Sequence, residues 1–297
     1  MLNFAEFAAL APELDNPKSI VYFHENQLTY PMAEESSRDP QTVFTQITSA
    51  LAASEVWFNS KFNRDSFLKA LKPFLKKMPD FRPFESIDKI FEKSKIFYPG
   101  INKLPERKAR YKDKKFKIVW AGRWEYDKNP EAFFKAIKIL KSQGFDFRLS
   151  VIGEQFKNSP PIFKEAKKEF RNNIDKWGYI ETREGYVEEL MDADVIVSTA
   201  IHEFFGIGML EGAAAGAVPI LPKRLAYPEV FSDDTGIIIK DYFYKGNPES
   251  LAEKIYGTAQ KILKGKFNRD PLNVAEKYYW NKAAENMDKA LERLVKK

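Results

Sequence analysis

Two glutamates, Glu203 and Glu211, carry the clearest chemical signal in the sequence. They lie in Ser198-Thr-Ala-Ile-His-Glu-Phe-Phe-Gly-Ile-Gly-Met-Leu-Glu211, which continues as Gly-Ala-Ala-Ala-Gly216. Their eight-residue spacing sets one carboxylate in a loop and the other about two turns into a helix. Gly206 and Gly208 let the backbone approach an anion closely, and the helix start beside them offers unbonded N–H groups. A carboxylate as near an apolar seam as Glu211 is costly unless it has partners, and ligand hydroxyls are suitable ones. Taken alone, two such glutamates read more readily as one capping and one solvated residue of an ordinary helix. A second set is cationic: Gly122-Arg123-Trp-Glu-Tyr-Asp-Lys128-Asn-Pro130. Arginine offers a fork to phosphate oxygens and lysine a point charge. A third set is the polar cluster His24-Glu25-Asn26-Gln27. The chain has two histidines, His24 and His202, and both fall at expected strand ends.

These residues need elements that bring them to one edge. Asp194 to Ser198 is an apolar run that reads as a buried parallel strand, and helical sequence starts near Gly206. A short apolar run from Ala217 to Leu221 closes a strand–loop–helix–strand unit. In open α/β sheets such loops lie at the ligand-binding edge. Lys115 to Ala121 is a further strand, with Asn129 as N-cap and Pro130 as first residue of the next helix. Phe147 to Gly153 reads as a strand, and Trp177 to Ile180 as a weak one. Helices are expected over 160–172, 185–191 and 248–263, with a strand at Gly236 to Lys240.

Ahead of these, residues 1–15 read as one helix and Ser19 to Phe23 as a strand running into the His24 cluster. A helix from Thr42 to Ala53, a strand from Glu55 to Asn59 and a helix through Lys77 capped by Ser60 follow. That last helix is basic and amphipathic: a surface helix with its apolar face in the core is the favoured reading, a helix lying on a membrane or facing a nucleic acid the alternative, and Pro73 should kink or break it. A helix at 85–93 and a strand at 95–98 lead to Pro99-Gly100. Asp192-Ala-Asp194 spells a short acidic motif at a helix-to-strand junction and reads as capping and solubility, with no metal role.

Composition bounds the answer. A chain of 297 residues with 44% hydrophobic residues and 25 phenylalanines can bury two cores. Without cysteine it has neither disulfides nor thiolate metal sites. No apolar run approaches the length of a membrane span, and the start lacks a basic leader, so a cytoplasmic location is expected. The net charge is +6, and the run from Lys103 to Lys117 holds eight basic and two acidic residues. That run is a candidate contact for a polyanion, with a solvated linker as the alternative.

The spacing Glu203-x7-Glu211 around Phe205-Gly206 resembles the signature of retaining glycosyltransferases of family four. Gly-Arg-x4-Lys-Asn-Pro at 122–130 resembles that family's diphosphate clamp. Tyr22-Phe-His-Glu-Asn-Gln-Leu-Thr-Tyr-Pro31 is similar to an N-domain motif of the tRNA-queuosine α-mannosyltransferases. The resemblance implies an α/β chain of GT-B type with two Rossmann-like domains: 1–100 on the acceptor side, 101–275 binding the nucleotide sugar, and a returning helix at 276–297. It implies that the first domain is incomplete, since it lacks early βα units and a glycine-rich first loop. It implies metal-free, cofactor-free retaining transfer of mannose from GDP-mannose to queuosine in tRNA.

Catalytic roles would fall to Glu203, His24, Arg123 and Lys128. Donor contacts would come from Gly122, Arg123, Lys128, Gly153, Glu203, Phe205, Gly206, Ile207 and Glu211, the last holding the ribose. His24, Glu25, Asn26 and Gln27 would face the acceptor side. Two rival readings stay open: a relative that glycosylates a lipid or polysaccharide, and an inactive nucleotide-sugar or RNA-binding protein.

Overall fold

A computed structural model describes residues 2–14, 17–31, 39–106, 115–267 and 270–296. The chain divides into two compact units, Met1–Gly100 with Asn281–Lys297, and Ile101–Trp280.

The first unit starts with α1 (Phe4–Leu10) and a short 3-10 turn (Pro12–Leu14). One helix over 1–15 is thereby corrected: Pro12 disfavours helical backbone at Ala11 and cannot donate a helical bond. β1 (Ile20–Phe23), β2 (Glu55–Phe58) and β3 (Ser94–Ile96) form a parallel sheet in the order β1-β2-β3. α2 (Pro40–Ala52) joins the first two strands, and Asp39 caps it. α3 (Lys61–Leu75) and α4 (Glu85–Glu92) join the second and third. Ser60 Oγ caps α3 by accepting from Asn63 N at 2.9 Å. Pro73 sits inside α3, which nevertheless runs on to Leu75; the helix forgoes the one bond that position 73 would make to the Lys69 carbonyl and ends two residues later. Phe23, Phe58, Phe67, Leu71, Leu75 and Ile90 form the buried core of this unit.

The second unit carries β4 (Phe116–Ala121), α5 (Pro130–Ser142), β5 (Phe147–Ile152), α6 (Ile162–Glu169), β6 (Ile174–Gly178), α7 (Arg183–Asp192), β7 (Val195–Val197), α8 (Ile207–Ala214), β8 (Val218–Pro222), α9 (Tyr227–Val230), β9 (Phe243–Tyr244), α10 (Pro248–Leu263) and α11 (Leu272–Ala275); α12 (Trp280–Val295) follows. Among the described residues its six strands are parallel in the order β6-β5-β4-β7-β8-β9. Strand order therefore reverses between β4 and β7, and a crevice opens beyond the carboxyl ends of those two strands. α5 packs on α6 and α10, and α8 on α7 and α11.

Two local expectations are corrected. No strand forms at Gly236 to Lys240; the Asp233 carboxylate accepts from Thr235 N at 3.0 Å and Ile237 N at 2.9 Å, folding the segment into a turn. The Asp192-Ala-Asp194 motif is built into a buried ion cluster. Lys117, 2% exposed, reaches Glu189 at 2.7 Å, Asp192 at 3.1 Å and Asp175 at 3.2 Å. Arg148 bridges Asp175 and Asp192, and Asp194 Oδ2 accepts from Lys117 N at 2.8 Å. The cluster lies at the start of β4 and β7, the end of the sheet opposite the crevice. No helix among the described residues is long and apolar enough to cross a membrane.

Candidate active site

The loops that leave β4, β5, β6 and β7 line one cavity of about 290 Å³. Along the sheet edge they present Tyr179 and Ile180 after β6, Gly153 and Glu154 after β5, Gly122, Arg123 and Lys128 after β4, and Ser198, Thr199 and Glu203 after β7. Gly206, Gly208 and Met209 enter from α8, and Tyr227 from α9.

Close approach of backbone explains two glycines here. Gly153 has φ +148, and a Cβ there would stand 1.9 Å from Gly122 O. The two loops therefore touch main chain to main chain, and Gly122 N donates to Ile152 O at 3.0 Å. Gly206 has φ +97, and a Cβ would stand 2.8 Å from the Tyr227 ring. Gly206 is the N-cap of α8 and offers no side-chain acceptor; its carbonyl accepts from Met209 N at 3.0 Å and Leu210 N at 3.2 Å, which leaves the N–H groups of Ile207 and Gly208 for a ligand.

Lys128 is the electrostatic centre of the cavity. It ends a short 3-10 turn (Tyr126–Lys128), and Asn129, left-handed at φ 50, caps α5 behind it. Its Nζ lies 3.1 Å from Asp127 Oδ2 and 3.4 Å from Glu203 Oε2, and donates to His202 O at 3.2 Å. Burial opposes its charge, but the carboxylates of Glu203 and Asp127 outweigh that and hold the ammonium above its ordinary range. Thr199 Oγ1 accepts from Trp120 Nε1 at 3.2 Å and donates to Lys128 O at 2.7 Å, tying the β7 loop to the β4 loop. Arg123 is half exposed and pairs with Glu125 at 3.1 Å.

Glu211 sits on α8 with both oxygens engaged. Arg183 Nη2 donates to Oε1 at 2.6 Å, and Tyr186 OH to Oε2 at 3.2 Å. Burial, then the Glu211 charge, keeps the Tyr186 phenol protonated far above neutrality. Gly212 packs α8 directly on Ile196 of β7, where a Cβ would stand 2.6 Å from that side chain. Phe205 is buried against Tyr278, and Ile207 is exposed.

His202 is buried beside Phe204, with ring centroids 4.4 Å apart. Burial, then the Lys128 charge, lowers its pKa to about 4. It is therefore neutral in the physiological range.

The structure thus brings together Gly122, Arg123, Lys128, Gly153, Glu203 and Gly206 around the cavity, with Glu211 bonded to its wall residue Tyr186. His24, Glu25, Asn26 and Gln27 belong to the first unit. His24 is exposed and packs on Tyr22 at 4.5 Å, and Glu25 is exposed. Asn26 departs from the acceptor-side contact expected of it. It is fully buried, donates to Asn63 Oδ1 at 2.8 Å and accepts from Thr29 N at 3.0 Å, so it shapes the loop from within. In the basic run, residues 107–114 lie outside the described residues.

Sequence reasoning missed Arg183, Tyr186 and Tyr227. Arg183 and Tyr186 share one face of α7 at i, i+3 spacing, a signal that becomes readable only once α7 is known to border α8. Tyr227 OH lies 2.7 Å from Ser198 Oγ and braces the β7 loop from α9.

Comparison with known proteins identifies the family and the fold. Residues 1–101 match the family described as tRNA-queuosine alpha-mannosyltransferase N-terminal, and residues 102–264 that described as Glycosyl transferases group 1. The chain is 39% identical over 266 residues to the tRNA-queuosine alpha-mannosyltransferase of Drosophila melanogaster, covering 86% of this chain and 68% of that protein. It is 26% identical over 170 residues to a GDP-mannose-dependent alpha-(1-6)-phosphatidylinositol dimannoside mannosyltransferase of Mycobacterium tuberculosis, covering 57% of this chain and 42% of that one. Among solved structures, the fold matches Anabaena HepE in complex with UDP and glucose, with TM-score 0.70, 14% identity and coverage of 97% of this chain and 75% of the other. Sucrose-phosphate synthase from Thermosynechococcus elongatus matches with TM-score 0.68, 13% identity and coverage of 98% and 72%. These neighbours establish a GT-B fold.

Proposed function

The chain belongs to the tRNA-queuosine alpha-mannosyltransferase family of glycosyltransferases, and from that premise we propose that it moves mannose from GDP-mannose to queuosine in tRNA. The observation that carries the donor half is the shared cavity of Arg123, Lys128 and Glu203, with Glu211 anchored on its wall.

The chemistry follows from charge. Breaking the sugar–phosphate bond builds negative charge on the departing diphosphate. Lys128 is already protonated and aimed into the cavity, and Arg123 adds a fork at the same loop, so both stabilise that charge without rearrangement. Lys128 does so while paired to Glu203, which places a carboxylate beside the sugar. Glu211 accepts hydrogen bonds from the ribose hydroxyls, held in orientation by Arg183 and Tyr186. The α8 N-terminus at Gly206 and Ile207 faces the phosphates with free N–H groups. The reaction keeps the sugar's configuration, runs without metal or cofactor, and takes place in the cytoplasm, where its tRNA acceptor is found. His24 serves the sugar from the acceptor side.

The test is transfer of labelled mannose from GDP-mannose to tRNA carrying queuosine, against the same tRNA carrying guanosine. Label should enter only the first. Lys128→Ala should lower kcat by about a hundredfold or more, as loss of a charge-stabilising donor does. Label in neither tRNA, with donor turnover on a lipid or polysaccharide instead, would contradict the reading.

A further inference from the structure

α3 of the first unit is the basic helix that neither the fold nor the donor site explains. Residues 61–77 hold six cations and one anion. Asn63, Phe67, Leu71 and Leu75 face the core, and positions 61, 65, 69, 72 and 76 run along the opposite face at helical spacing. Lys69, Lys72, Lys76 and Lys77 are exposed, and among the described residues their ammonium groups have no hydrogen-bonding or ionic partner. The one acid on the row, Asp65, is held by Arg64 at 2.8 Å. α4, which packs beside α3, carries the exposed Glu85, Asp88, Lys89 and Glu92.

From this arrangement we infer that the lysine face of α3 is a docking surface for the sugar-phosphate backbone of tRNA; the inference rests on the tRNA acceptor proposed above. Neighbouring lysines three or four residues apart stand about 5–6 Å from each other. That is a step comparable to the one between successive phosphates of a nucleic-acid strand. Each lysine that meets a phosphate releases a counterion, which supplies affinity without reading sequence. The lysine row itself has no large exposed apolar side chain to anchor in a bilayer, which disfavours a membrane. Phe81, 71% exposed in the following loop, offers a face for an unpaired base or an apolar anchor alike.

The experiment measures binding of an unmodified tRNA transcript to the full chain across a salt series, for wild type and for the triple variant Lys69→Gln, Lys72→Gln, Lys76→Gln. Affinity near 0.1 M salt should fall by about ten- to a hundredfold, and the slope of log K against log salt should lessen by about 2. The loss should be equal for different tRNAs, and GDP-mannose binding and the thermal midpoint should be unchanged. The matching triple Lys→Arg variant should bind as wild type. Unchanged affinity and salt slope in a variant that still transfers mannose would overturn this inference alone. Failure of transfer to queuosine tRNA, with lysine-dependent tRNA binding intact, would overturn the acceptor reading and leave this one standing. Lysine-dependent binding to phosphatidylserine–phosphatidylcholine vesicles, with tRNA affinity unchanged, would overturn it in favour of a membrane.

Discussion

Lys128 and His202 sit side by side and respond to the same field in opposite ways. The carboxylates of Glu203 and Asp127 hold the Lys128 ammonium, while burial and that ammonium strip the proton from His202. The consequence is a stability that depends on pH. In the unfolded chain His202 takes up a proton near its ordinary value of 6.5, but in the folded chain only near pH 4. Between those values the unfolded state binds more protons, so stability is full above about pH 6.5 and falls as pH drops towards 4. A His202→Gln variant should show a flatter decline over that window in denaturant titrations; an identical slope would show that His202 does not carry it. At this scale Glu203, Glu211, Arg123 and Lys128 were legible because their spacing is local. Arg183 and Tyr186, which hold Glu211, were not: their partner is 28 and 25 residues away, and nothing in the sequence couples the two helices.

The elements that place these residues were legible wherever a cap and a period agree. Asn129-Pro130 started α5 as expected, the asparagine side chain accepting from Ala132 N in the first turn; α10 was read from its period, and its cap Asn247, which accepts from Ser250 N, was not. Legibility failed where a side chain redirected the backbone, as Asp233 does at the expected strand, and where charge was buried. Asp192 and Asp194 look like solvated caps in sequence; only the β4–β7 pairing sets them against Lys117. That cluster clamps the start of the two strands whose other ends carry the site. Burial opposes the Lys117 charge, and Glu189 and Asp192 outweigh it and raise its pKa. Lys117→Met leaves buried carboxylates facing one another, and should lower stability by about 3–5 kcal/mol in urea unfolding. A loss under about 1 kcal/mol, within the range of an exposed pair, would mean that the cluster contributes no more than surface charge does.

At the scale of the whole molecule, strand order does most to assign function. The sequence showed separate βα units but not their order, because parallel strands pair through contacts far apart in the chain. The observed order puts the reversal between β4 and β7, and so brings the 122–128 loop and the 198–206 loop, some 75 residues apart, to one crevice. The first unit was read as having three strands, and among the described residues it contains a three-stranded parallel sheet. The central claim is that this crevice holds a nucleoside diphosphate sugar through Lys128, Arg123 and Glu211. Calorimetry with GDP, GDP-mannose, UDP and UDP-glucose, on wild type and Glu211→Ala, tests it most directly. The account predicts binding of GDP and GDP-mannose in preference to the uridine compounds, weakened at least tenfold by the substitution. Equal binding of all four, or GDP binding indifferent to Glu211, would contradict it.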